Sequence, residues 1–100
     1  MAQYIVIFKA QIRQLDPLYF ETAQRLRDKA LHEYGCLNFE AISESHQEIA
    51  LSYWCSLTDI QAWQQDAEHL IAQQLGKSQW YEHFSVEICE VLRRYSAPTN

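Results

Sequence analysis

Residues Gln3 to Ile12 alternate. Tyr4, Val6, Phe8, Ala10 and Ile12 fall on one side of an extended chain, and Ile5, Ile7, Lys9 and Gln11 on the other. A two-residue period over this length predicts a first strand. The pattern changes at Leu15-Asp16-Pro17: Asp16 can cap a helix, Pro17 suits the first helical position, and Leu15 can pack back onto Phe20. The predicted helix runs to about Tyr34 and stops at Gly35, with Tyr19, Ala23, Leu26, Ala30 and Tyr34 as its apolar stripe. Leu37 to Ser43 and Gln47 to Cys55 are β-prone runs joined by the short polar segment Glu44-Ser45-His46, so they are expected to pair as a hairpin. Ser56 with Asp59 has capping-box spacing and opens a second helix that Gly76 is expected to end. Ile60, Trp63, Ala67, Leu70 and Ile71 form its stripe, opposite Gln61, Gln65, Glu68 and Gln73. A last strand is expected over about His83 to Tyr95, with Phe84, Val86 and Ile88 on one face and Ser85, Glu87 and Cys89 on the other. Residues 97–100 form a polar tail beyond a single domain spanning 1–96.

The order β-α-β-β-α-β is the split βαβ, or ferredoxin-like, α+β motif: a four-stranded antiparallel sheet with two helices on one face. Two helices cover only one side of such a sheet. Strand one offers Ile5 and Ile7 opposite Tyr4, Val6 and Phe8, and strand three offers Ile49, Leu51, Tyr53 and Cys55 opposite Ala50 and Trp54. Large apolar groups therefore remain on whichever face the helices leave bare, and two sheets packed face to face in a homodimer would bury them.

Composition narrows the partners. A formal net charge of −5 with scattered basic residues gives no phosphate-backbone site, so no nucleic-acid partner is expected. The longest apolar run, Tyr4 to Phe8, is strand-length, so no membrane association is expected and a soluble, cytoplasmic protein is. Cys36, Cys55 and Cys89 are an odd set without metal-ligand spacing, which fits reduced, mostly buried thiols, and no metal site is expected.

The stretch from Tyr53 to Tyr81 holds all three tryptophans, so pocket chemistry is expected near it. Trp63 either lines a cavity between helices and sheet or fills the core, the ordinary use of an aromatic on a helical stripe. His69 is the candidate general base, because imidazole titrates near neutrality. On a straight helix, however, its place six residues after Trp63 turns it towards solvent, unless the helix breaks near Asp66. His83, beside Trp80 and Tyr81, belongs to an aromatic cluster that could form a lid over a pocket. Tyr53 and Trp54 take opposite faces of strand three, and Asn38 could orient a carbonyl or phenol. His32 and His46 read as surface residues.

Tyr34-Gly35-Cys36-Leu37, Trp54, Trp63 with Glu68-His69 and Ala72-Gln73, Gly76-Lys77 and the closing Val91 to Tyr95 (VLRRY) resemble the antibiotic biosynthesis monooxygenase (ABM) family of dimeric α+β barrels. The resemblance covers about Tyr4 to Tyr95. It implies a cofactor-independent monooxygenase acting on a small aromatic or polyphenolic molecule, with a non-enzymatic, small-molecule-binding or stress-related dimer as the alternative. The family's haem-degrading branch uses an Asn on strand one with a Trp and a His on the second helix. Trp63 matches the tryptophan, but strand one here has no Asn and the Trp63–His69 spacing is shorter than in that branch. No cofactor is therefore expected.

Overall fold

The computed structural model describes residues 2–99. Its strands are β1 (Tyr4–Ile12), β2 (Asn38–Glu44), β3 (Gln47–Trp54) and β4 (Tyr81–Glu90), and its helices are α1 (Pro17–His32), α2 (Leu57–Gln64) and α3 (Ala67–Leu75). The strands form one antiparallel sheet in the order β2-β3-β1-β4, the ferredoxin-like α+β arrangement expected. Met1 and Asn100, the ends of the expected domain and tail, lie outside the described residues.

Local chemistry sets most boundaries. Asp16 accepts a hydrogen bond from the Tyr19 amide at 2.9 Å and Pro17 opens α1. Gly35 adopts φ +85°, where an added Cβ would also stand 3.1 Å from Asp59 Oδ2. Ser45, at φ 55°, makes the hairpin turn, and Ser56 accepts from the amides of Thr58 and Asp59 to start α2.

Four expectations are corrected, the first being that the cysteines are mostly buried: Cys36 is, whereas Cys55, just past the end of β3, and Cys89, beside Ile5 on the face away from the helices, are exposed. The second helix is not continuous: it breaks at Asp66, which has an extended ψ of 141° and caps α3 by accepting from the Glu68 amide at 2.9 Å. The break turns the expected stripe outwards in its second half, so Ala67, Leu70 and Ile71 are exposed. Gly76 does not end the helix in a left-handed conformation. At φ −58° it continues into a π-helical turn, Gly76–Trp80, because Tyr81 packs so closely that a Cβ at Gly76 would meet its ring at 3.0 Å. β4 consequently begins at Tyr81 and ends at Glu90, where its pairing with β1 runs out at Tyr4.

The helices cover the face of the sheet carrying Val6, Phe8, Ala10, Glu48, Ser52 and Trp54. The core beneath them is divided. One cluster gathers Val6, Ala30, Cys36, Trp54, Ile60 and Trp63, and the other gathers Ala10, Tyr19, Trp80 and Tyr81. On the opposite face, register sets Ile7 beside Leu51, Ile5 beside Tyr53 and Ile42 beside Ile49; among the described residues no helix lies over them, and the Arg94 guanidinium stands 5.3 Å over the Tyr53 ring. Among the described residues no helix is long and apolar enough to cross a membrane.

Candidate functional site

Between the two core clusters lies a cavity of about 300 Å3. Small residues leave this space. Ala41 and Ala50 face each other across β2 and β3 on its floor, and Ala23 on α1 with Ala72 on α3 line its roof. The wall between them is largely aromatic, contributed by Phe8, Phe39, Trp63, Trp80, Tyr81 and Phe84. The volume is at the low end for ligand pockets and suits a compact ring system.

The break at Asp66 brings His69 into this cavity. Asp66 accepts from the Tyr34 hydroxyl at 2.7 Å and pairs with the Lys29 ammonium at 3.2 Å, so α1 fixes the point at which α3 starts. The Tyr34 hydrogen bond holds the Asp66 carboxyl below its usual range. With the helix restarted, His69 stands edge-on to Trp63 with ring centroids 4.5 Å apart. Burial pushes its imidazole below the usual value, so the ring is neutral at pH 7. Gln73 Nε2 lies 3.3 Å from His69 Nδ1. The amide can donate to that nitrogen or, turned over, accept from it, and the second arrangement leaves Nε2 free to take a proton.

Trp63 donates to the Leu26 carbonyl at 3.1 Å, so it is at once core and cavity wall. Trp80 lines the other end, its indole N–H 3.3 Å from Asp16. Trp54 is buried against Trp63, with centroids 5.3 Å apart, outside the lining. Tyr53 and Asn38 pair with each other on the bare face, where the Asn38 amide bonds Glu40 at 3.2 Å. His83 is exposed and pairs with Gln11 on that same side. The structure thus gathers Trp63, His69 and Trp80 around one space and sets Asn38, Tyr53, Trp54 and His83 away from it.

Sequence reading missed Glu48, took Tyr19 only as part of the α1 stripe, and took Tyr81 only as part of a lid. Glu48 stands on the helix-facing side of β3, opposite Ala10, and is only 8% exposed. The Tyr19 hydroxyl donates to Glu48 Oε1. Burial pushes the Glu48 carboxyl above the usual range, and the Tyr19 hydrogen bond offsets part of that rise. Burial likewise raises the Tyr19 and Tyr81 phenols, with the nearby carboxylate adding to both. The available signal was a glutamate in phase with Ala50, Ser52 and Trp54.

A carboxyl whose folded pKa lies above its unfolded value stabilises the fold below the unfolded value, near 4.5, and loses that contribution as pH rises through the folded value. Glu48→Gln removes the titration and keeps an oxygen for Tyr19. The variant is therefore expected to gain on the wild type with rising pH, by roughly 1 kcal/mol at pH 8, and to lose the advantage below about pH 4.5. Urea unfolding across this range measures it, and a pH-independent difference would show that Glu48 is not desolvated.

No family model matches the chain. It is 36% identical over 92 residues to the uncharacterized protein YqjZ of Bacillus subtilis, covering 91% of this chain and 81% of the relative. Among solved structures it is similar to SnoaB, a cofactor-independent oxygenase from Streptomyces nogalater, with TM-score 0.72, 8% identity and coverage of 99% and 100% of the two chains. An antibiotic biosynthesis monooxygenase aligns with TM-score 0.72 and 12% identity, covering 90% of this chain and 99% of its own. A protein of unknown function from Nitrosomonas europaea aligns with TM-score 0.73 and 11% identity, over 99% and 98%. The fold implied by the sequence resemblance is thus shown, and the chain belongs to the family of Bacillus subtilis YqjZ, built on the fold of the antibiotic biosynthesis monooxygenases.

Proposed function

We propose that the protein is a cofactor-independent monooxygenase whose cavity takes a small, planar, electron-rich aromatic molecule. The observation that carries this reading is the neutral His69 imidazole facing a cavity with largely aromatic walls, beside Trp63. A ring stacked in this space and deprotonated there becomes electron-rich enough to pass electrons to oxygen directly, which is the chemistry that needs no cofactor. SnoaB, similar in fold, is such an oxygenase. A cavity that only sequestered a ligand would have no use for a base facing it, which favours catalysis over simple binding. The bare sheet face fits a second copy of this chain better than a ligand, because it is broad and opposite the cavity.

The purified protein is expected to raise oxygen uptake above a boiled control with anthrone- or quinol-type substrates. His69→Ala should lower that rate by about 10²-fold or more, the usual contribution of a general base. Uptake absent across such a panel, with the substrates still binding, would make the protein a binding module instead.

A further inference from the structure

We propose that Glu48, oriented by Tyr19, is a second acid-base site of the cavity, and that its free carboxylate oxygen receives a hydroxyl of the bound molecule. The two groups lie towards opposite ends of the cavity. Glu48 pairs with Ala10, in the cluster of Tyr19, Trp80 and Tyr81, whereas His69 packs on Trp63 in the cluster of Val6 and Trp54. Along β3, Glu48 and Trp54 are separated by about 20 Å, at the rise of an extended strand.

A buried carboxyl normally has a cation or several hydrogen-bond donors. Glu48 has neither. Among the described residues the Tyr19 hydroxyl is its one hydrogen-bond partner, and no Lys, Arg or His lies within ion-pair distance. Tyr19 on α1 and Tyr81 at the start of β4 face it, the other charged or titratable groups of the cavity are Arg27 on α1 and His69 at the far end on α3, and Lys9 of β1 and His83 of β4 line a shallow pocket that Glu48 also touches. Arg27 is occupied at the rim, its guanidinium 5.1 Å above the Phe39 ring. Above its folded pKa the ionised acid costs the fold stability that a glutamine, which also accepts from Tyr19, would keep. An acceptor left in an aromatic cavity is instead suited to a ligand O–H, and the phenol-bearing molecules of the proposed function supply one.

This inference rests on the cavity being a site for aromatic molecules, but its test does not depend on turnover. The probes are 2-naphthol and its methyl ether, 2-methoxynaphthalene, with binding read from tryptophan fluorescence at pH 8. The wild type is expected to bind the naphthol about tenfold or more tightly than the ether, the effect of one hydrogen bond to a charged acceptor. Glu48→Gln should bring the ratio close to one while leaving the ether's affinity unchanged. Tyr19→Phe, which keeps the carboxylate, should retain a preference for the naphthol. Far-UV circular dichroism of each variant confirms that it is folded. Equal binding of the two probes by the wild type, no binding of either, or a preference kept in Glu48→Gln and lost in His69→Ala would each overturn the proposal. Failure of the oxygenase reading looks different: the naphthol preference and its loss in Glu48→Gln persist while no substrate gives oxygen uptake.

Discussion

Sedimentation of the protein at micromolar concentration is expected to give a single species of twice the 11.8 kDa chain mass. The bare sheet face supplies the reason. Ile5, Ile7, Ile49 and Leu51 form a contiguous apolar surface on β1 and β3, and Ile42, 71% exposed, extends it onto β2. Lys9, Glu87 and Glu40 sit among or beside these residues, so the surface is apolar at its centre and charged at its margins. All three helices are on the other side, and from the closing segment the Arg94 guanidinium lies 5.3 Å over the Tyr53 ring, beside this surface. A second copy related by a two-fold axis buries the same residues on both partners and closes the assembly. Leu51→Glu sets a carboxylate opposite Glu40 and buries it twice per dimer. It should weaken association by about 100-fold or more while the far-UV circular dichroism of the chain stays unchanged. A wild type that sediments at the monomer mass would remove the dimer, and with it the barrel formed by two sheets.

Trp54→Ala is expected to cost about 3–5 kcal/mol, a large part of the roughly 5–15 kcal/mol that holds a domain folded. Trp54 is 0% exposed, and its indole N–H donates to Ser52 Oγ at 2.8 Å. Its removal opens a cavity beneath Trp63 and leaves the buried Ser52 hydroxyl without that partner, so the two losses add. Since Trp63 packs on both Trp54 and His69, the variant should also lose the pocket wall that positions the imidazole. Urea unfolding at pH 7 gives the stability change. A loss under about 1 kcal/mol would mean that the site refills on truncation and that Trp54 is not an anchor of this core.

Strand and helix types were legible because period alone decides them. The two-residue alternation of Tyr4 to Ile12 and the caps at Asp16 and Ser56 act within a few residues of where they are read. The Asp66 break was legible only as a condition. Its sequence signal is a single capping residue, and what secures it is Tyr34 and Lys29, more than thirty positions earlier in the chain. The π-helical turn was not legible at all, since Gly76 was read as a helix stop and the reason for it is the Tyr81 ring against the backbone.

The candidate site divides in the same way. Trp63, His69 and Trp80 stood out as residue types that carry chemistry, but their gathering around one cavity depends on the break and on four alanines drawn from α1, β2, β3 and α3. Glu48 was passed over because one charged residue in a strand reads as solvent-facing until the register shows which side the helices take. The sequence by itself determined the element order, the apolar surplus on both sheet faces and the kinds of group available for acid-base work, since these follow from local spacing and side-chain chemistry. Only the tertiary structure decided that His69 turns inwards, that Glu48 and Tyr19 meet across 29 positions, and that His83 and Asn38 fall outside the cavity. Those outcomes depend on contacts between segments distant in the chain, which no local period encodes.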